Sequence, residues 1–290
     1  MRLALRNRAF IFFSLVMPLA FLFLYLGIFG QGGPAAVSYM MGPVLALTVM
    51  GSFWGLSVQL VVFREQGILR RFRLAPVGPG AMLASNILSN YFLALPTVVL
   101  EFALARWIFG LSHFGNLWGV AVLISLGTLT FAAFGLIVAS VSNTMQETQV
   151  INNTIWFVFI FLSGAAFPFP FLPGWVQSVA LFLPPTYLVS GLQQLVVRNA
   201  PLAQLGPELL ALAGGFAMAF FLSWQLFRWE PEQKVTRRAK LWAAATIVPF
   251  LLLGAWENTY GHLREDAKAI FGTTQKREPP ADPGRSRSTP

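Results

Sequence analysis

The sequence predicts an all-α polytopic membrane protein, and three observations support this fold class. Of the 290 residues, 56% are hydrophobic and only 11% are charged, whereas roughly a quarter of the residues in a soluble domain are charged. The apolar residues form runs of about twenty, the length that crosses a bilayer as a helix. The basic residues are concentrated in short segments beside those runs, as in loops on the cytoplasmic side of a membrane.

Six apolar runs form the predicted core. Three arginines precede the first run, so we expect a cytoplasmic N-terminus and spans that alternate in direction. A short turn containing Gly and Pro follows the first run, and a polar loop at residues 142–149 separates the fourth run from the fifth. The predicted spans are residues 10–29, 40–62, 81–109, 117–141, 150–167 and 207–227.

The last sixty residues lie outside this core. Residues 241–256 form a shorter apolar run, and five basic residues precede it. The positive-inside rule therefore favours a seventh span with an external C-terminal tail. Residues 272–290 are rich in Pro, Ser and Arg, a composition typical of disorder. The predicted division is a membrane domain at 1–228, a basic cytoplasmic linker with an extra helix at 229–258, and a polar, largely disordered tail at 259–290.

Residues 64–80, between the second and third runs, are strongly basic. Four guanidinium groups are costly in hydrocarbon, so we expect this segment to lie in water. Short loops rich in arginine stay on the cytoplasmic side, where this one can meet a soluble partner. The alternative is a solvated loop without a partner. The segment contains Arg64, Arg70, Arg71 and Arg73, a single acid, Glu65, and the prolines Pro76 and Pro79.

Residues 161–188 are apolar, but prolines divide them into pieces of about ten residues, which are too short to span. We expect short broken helices that lie in or dip into the outer leaflet, with Pro173 and Pro185 in first turns, where proline forfeits no helical hydrogen bond. Trp175 and Tyr187 are expected at the headgroup boundary. The dividing prolines are Pro168, Pro170, Pro173, Pro184 and Pro185.

Ionisable chemistry within the predicted spans is sparse. Glu101 lies in the third span, and an intramembrane carboxylate is a candidate for function; alternatively, it snorkels outward or faces a neighbouring helix. The chain has no cysteine and two histidines, and it lacks the G-x-x-x-x-G-K-[ST] phosphate loop. We therefore predict no catalytic residue, metal site or cofactor. Membrane topology explains the clustered basic residues, so nucleic acid is not an expected partner.

The basic segment and the proline-rich region contain two motifs. The first reads R-E-x-G-x-L-R-R-x-R-x-A-P-V over residues 64–77. The second combines F-L-S-G at 161–164, L-P-G-W at 172–175 and P-P-T-Y-L at 184–188. At this separation the pair resembles the ABC-2 type transport permeases, which include the antibiotic- and drug-efflux branch of bacterial ABC exporters. The likeness covers residues 10–228.

The resemblance implies six core helices per subunit, a second identical or paralogous permease subunit, and two separate ATPase subunits at the cytoplasmic face. It also implies a non-enzymatic, multi-pass subunit of the inner cell membrane, surrounded by lipid. The main rival is a secondary transporter or channel that uses Glu101. By the same likeness, the coupling loop contains Arg64, Glu65, Gly67, Arg70, Arg71, Arg73 and Pro76, and the external re-entrant gate contains Pro168, Pro173, Trp175, Pro184, Pro185 and Tyr187.

Overall fold

The structure, a computed structural model, describes residues 8–29, 33–69, 78–227, 247–260 and 262–277. Within these ranges it is helical with connecting turns and contains no β-strand, which confirms the all-α prediction there. Two short 3₁₀ helices lie at Phe169–Phe171 and Leu202–Gln204. The α-helices are α1 (Arg8–Phe29), α2 (Pro34–Glu65), α3 (Pro79–Trp107), α4 (Leu117–Val141), α5 (Met145–Leu162), α6 (Gly174–Ala180), α7 (Pro184–Val197), α8 (Gly206–Gln225), α9 (Val248–Tyr260) and α10 (His262–Arg277).

Four of these helices, α2, α3, α4 and α8, are long and apolar enough to cross a membrane. The pair α6 and α7 would make a fifth spanning segment if it is counted as one broken span; its two helices are bent by 97°.

Helix α5, which corresponds to the span predicted at residues 150–167, begins earlier than expected, at Met145. The polar loop is therefore shorter than residues 142–149. The reason is local: Thr144 caps the helix by accepting a hydrogen bond from the Glu147 amide, 3.1 Å away.

Helices α2 and α4 form the centre of the bundle. The 14 consecutive residues 37–50 of α2 are all buried, and α4 packs along this helix. Their backbones approach most closely at Gly135, where a Cβ atom would clash with the carbonyl oxygen of Phe53. Gly127 likewise leaves room for Val49 of α2 and Leu188 of α7. Small residues on α4 thus let two other helices pack tightly on it.

The bundle has two ends, which we call the Arg64 end and the Asn116 end. Helix α2 finishes and α5 begins at the Arg64 end. At the opposite end the Asn116 amide donates to the Leu195 carbonyl, 3.0 Å away, which joins the start of α4 to the last turn of α7. Helix α7 begins near Gly127, about 15 Å along α4 at 1.5 Å per residue. It is therefore a half-length helix confined to the Asn116 end.

The C-terminal helices differ from the predicted extra span and disordered tail. Helix α9 has only 13 residues, from Val248 to Tyr260, and the start of the predicted span at 241–246 lies outside the described residues. Residues 262–277, predicted to be largely disordered, form α10. The helix forms because Leu263, Ala267 and Ile270 recur at helical spacing and are buried against the bundle.

Candidate functional site

The candidate site is the joint at the Arg64 end, where the start of the predicted coupling loop meets the turn between α4 and α5. The structure describes Arg64, Glu65 and Gly67 of the predicted coupling residues. The other four lie in residues 70–77, outside the described part of the chain: Arg70, Arg71, Arg73 and Pro76.

Arg64 occupies the last turn of α2 and is only 2% exposed. Its guanidinium donates to the carbonyl oxygens of Ala139, at 2.9 Å, and Ser142, at 2.6 Å. Both carbonyls belong to the C-terminal end of α4, which carries partial negative charge and attracts a cation. The expectation that this arginine lies in water is therefore wrong: burial is tolerated because the charge is bonded to helix-end carbonyls.

Glu65, the next residue, bonds to the adjacent helix end. Its Oε1 accepts a hydrogen bond from the Met145 amide at 2.8 Å, in the first turn of α5. That helix start is further stabilised by Glu147, whose Oε2 accepts from the Asn143 amide at 2.8 Å. Carboxylates at a helix N-terminus satisfy free amides and oppose the positive end of the helix dipole. Two consecutive residues of opposite charge thus hold two helix ends of opposite polarity.

Gly67 turns the chain after α2. It has φ +68°, in the left-handed region that glycine adopts without strain, and its amide donates to the Arg64 carbonyl at 3.0 Å. Two residues later Leu69 is fully buried among apolar side chains of α2, α3 and α4. The segment that leads to residues 70–77 is therefore anchored to the bundle by both a backbone turn and a packed side chain.

The predicted gate residues surround α6 and α7 at the Asn116 end. Pro168 precedes the 3₁₀ helix Phe169–Phe171, and Pro173 is the N-cap of α6. Both Pro184 and Pro185 lie in the first turn of α7, so prolines stand at the start of each short helix, consistent with their missing amide donors.

The two aromatic gate residues lie in different environments. Trp175 is 70% exposed. Tyr187 is fully buried, and its hydroxyl donates to the Leu181 carbonyl at 2.8 Å. The expectation that Tyr187 lies at the headgroup boundary is therefore wrong. Because α7 begins halfway along α4, its first turn lies inside the bundle rather than at its surface.

Glu101 is fully buried on α3 and faces α2. The Thr48 hydroxyl donates to its Oε1 at 2.5 Å. Its Oε2 has no hydrogen-bond partner among the described residues. Of the readings left open by the sequence, the structure favours a carboxyl group that faces a neighbouring helix, since no part of the side chain reaches the surface.

Buried polar groups that the sequence did not single out lie on α5, α7 and α8. The Asn152 amide on α5 donates to the Ser57 hydroxyl on α2 at 2.6 Å. Glu208 accepts from the Gln194 amide at 2.7 Å. The Pro-Glu pair at the start of α8 was the available signal for Glu208, because both residues favour a first turn. In the described part of the chain, no group of three His, Asp or Glu side chains could hold a metal ion.

Comparison with known proteins assigns the family. The model of the family described as ABC-2 family transporter protein matches residues 31–224, a region that extends from just before α2 to the last turn of α8. This interval contains the Arg64 joint, Glu101 and the re-entrant pair.

Three relatives are named as permeases. The chain is 28% identical over 154 residues to the linearmycin resistance permease protein LnrN of Bacillus subtilis (strain 168), covering 53% of this chain and 40% of the relative. It is 25% identical over 206 residues to the putative transport permease YvfS of the same strain, covering 69% and 84%. It is 27% identical over 225 residues to the daunorubicin resistance ABC transporter permease protein DrrB1 of Streptomyces coeruleorubidus, covering 73% and 77%. This chain therefore belongs to the ABC-2 family of transporter proteins.

Proposed function

We propose that this chain is the permease subunit of an ATP-binding cassette exporter, in which separate ATPase subunits hydrolyse ATP. Family membership supports the transport role, and the names of two relatives, which describe resistance permeases, support export. The chain has no phosphate-loop motif of its own. Residues 1–228 would form the conducting domain, residues 229–258 a cytoplasmic linker with an extra helix, and residues 259–290 a tail.

In this proposal the Arg64 end and the N-terminus face the cytoplasm of the cell, and the Asn116 end faces outward across the inner membrane. Clustered basic residues at 64–73 support this orientation. Helix α3 presents a largely unburied apolar surface: only 28% of its most apolar stretch is buried, against 72% for α2. That surface supports contact with lipid and with a second permease subunit.

The observation that carries the proposal is the joint formed by Arg64 and Glu65. A partner that displaces residues 70–77 would act on the end of α2, and through these two side chains on the end of α4 and the start of α5. Helix α5 then leads directly to the re-entrant pair, because it ends at Leu162, shortly before Pro168. The joint thus connects the proposed ATPase contact to the proposed external gate through one rigid helix.

The test uses the permease reconstituted with a candidate ABC ATPase subunit. Replacing Arg70 and Arg71 by Glu should abolish stimulation of ATP hydrolysis by the permease while leaving membrane insertion intact, because the reversed charges oppose docking. The matched control reverses Arg106, an exposed arginine in the last turn of α3 at the other end of the bundle, and should leave stimulation unchanged. Full stimulation by the Arg70 and Arg71 variant would contradict the coupling role.

A second candidate function is a secondary transporter or channel that uses Glu101. The specific observation in its favour is a fully buried carboxyl group with one oxygen unpartnered among the described residues. Glu101→Gln separates the two functions. A proton-coupled carrier should lose its dependence on a pH gradient, whereas an ATP-driven exporter should retain ATP-dependent flux.

A further inference from the structure

We propose that α10 is a cover at the Asn116 end: it holds the re-entrant pair α6 and α7 in place and closes a small cavity beneath it. The proposal goes beyond the proposed function, because it rests on contacts of residues 263–271, which follow the region matched by the family.

Polar contacts connect α10 to both helices of the pair. The Arg264 guanidinium donates to the Ser178 hydroxyl on α6 at 2.7 Å. Asp266 forms an ion pair with Arg198, which follows the last residue of α7, at 2.9 Å. One turn of α10 thus contacts both helices of the pair, which are bent by 97°. The two contacts oppose separation of α6 from α7.

Aromatic contacts attach the other end of α10. The ring of Phe271 lies with its centroid 5.8 Å from that of Tyr39, in the second turn of α2, and 5.1 Å from that of Phe171, in the 3₁₀ helix before α6. Both pairs are close to perpendicular, the favourable edge-to-face arrangement. Helix α10 therefore contacts the central helix of the bundle as well as the re-entrant region.

Four polar side chains are among the residues that line the cavity beneath α10 on the side of the bundle, and two of them are Ser163 and Gln193. Leu263 and Ala267 of α10 form its roof. Ser163 is 1% exposed, and its Oγ has no hydrogen-bond partner among the described residues. The remaining lining residues of the cavity are Phe169, Thr186, Val189 and Ser190.

The contacts that hold the cover are weak enough to let it open. The ion pair between Asp266 and Arg198 is accessible, with its side chains 30% and 40% exposed, and such pairs contribute little stability. The buried Ser163 hydroxyl would gain hydrogen bonds if water reached it. A solute that leaves between α6 and α7 would require the cover to open.

The test measures access to the cavity in the full-length chain. The chain has no cysteine, so Ser163→Cys provides the only thiol, and the substitution removes a hydroxyl without a partner among the described residues. Its rate of reaction with a charged methanethiosulfonate is measured in detergent, where both ends are accessible. Ala105→Cys, fully buried near the end of α3 at the Asn116 end, reports separately on general loosening of that end.

Ala267→Arg places a long cation in the roof and should accelerate reaction at Ser163→Cys by about tenfold or more, because overpacking forces the helix outward. Ala269→Arg is the matched control: it is the same change on the exposed face of α10 and should leave the rate unchanged. Equal rates in the two variants would overturn the proposal.

The ion pair provides an independent series. Asp266→Arg should accelerate the reaction about two- to fivefold, the range for an exposed pair, and the exchanged pair Arg198→Asp with Asp266→Arg should restore protection. Glu265→Arg, at the exposed neighbouring residue, is the control and should have no effect. If Ala267→Arg also changes the rate at Ala105→Cys, the ion-pair variants alone decide the question. Failure of the exchanged pair to restore protection then overturns the proposal.

The access experiment does not depend on the ATPase, so its outcome is independent of the proposed function. The two experiments can give different answers. If the access experiment shows that the cover opens, but the Arg70 and Arg71 variant still stimulates ATP hydrolysis fully, α10 is supported as a cover and the coupling role is contradicted.

Discussion

Replacing Arg64 by Gln tests the joint most directly. The guanidinium makes two hydrogen bonds to helix-end carbonyls, at 2.9 and 2.6 Å, from a nearly fully buried position. A hydrogen bond to a charged group contributes about 1.5–3 kcal/mol net, so two amount to roughly 3–6 kcal/mol. The Gln amide can keep at most part of this hydrogen-bond free energy. Water that reaches the carbonyls of an opened helix end offsets another part of the loss. We expect a loss of about 2–4 kcal/mol in the free energy of unfolding.

The assay is reversible denaturation of the purified chain in detergent, with hydrogen exchange of residues 142–147 as a local readout. Arg198→Gln is the matched control, because Arg198 is 30% exposed and has an exposed ion pair, and it should cost less than about 1 kcal/mol. In Arg64→Gln, exchange should rise at the turn between α4 and α5 before it rises elsewhere. Equal destabilisation by the two variants, or unchanged exchange at that turn, would refute the reasoning.

Two further predictions concern the turn after α2 and the first turn of α7. Gly67→Ala should cost about 1–2 kcal/mol of stability because φ is +68°; the cost comes from the backbone alone, since no neighbour would touch the new Cβ. Gly67→Asn should recover part of that stability. Gly78→Ala is the control and should cost little, because φ there is −73°. A thermal melt of the three variants checks this, and an unaffected Gly67→Ala would contradict it. Tyr187→Phe should cost about 1–2 kcal/mol by leaving the Leu181 carbonyl unpaired, whereas Trp175→Phe at the surface should be nearly neutral. Equal melting temperatures for Tyr187→Phe and Trp175→Phe would show that the hydrogen bond from the Tyr187 hydroxyl to the Leu181 carbonyl contributes no stability.

The existence and order of the long helices could be predicted, because about twenty apolar residues in a row leave few alternatives to a helix. Element ends were less predictable where apolar content changes gradually. Helix α5 begins five residues before its predicted start, at Met145. The cap formed by Thr144 and Glu147 was the available signal, but these polar residues were assigned to a loop.

The environment of Arg64 could not be predicted from sequence. It stands first in a run of basic residues, and composition alone assigns the whole run to water. Whether an arginine at the end of a helix meets solvent or the carbonyls of another helix depends on where that other helix ends. Here α4 ends within reach of α2, an outcome of packing at positions such as Gly135, which are distant in sequence.

Tyr187 and α10 illustrate the same limit in two ways. Proline positions predicted that α7 is short, but its depth depends on packing of Leu188 against Gly127, a contact between residues sixty positions apart. Helix α10 has a polar composition that is typical of a disordered tail. Its three buried apolar residues become informative only when a surface exists for them to cover.

Arg64 and Glu65 leave α2 from neighbouring positions, and this adjacency restricts how the turn at 142–145 can move. A displacement of the last turn of α2 acts on both contacts, because a single peptide unit separates the two residues. A movement large enough to break both would release the end of α4 and the start of α5 together.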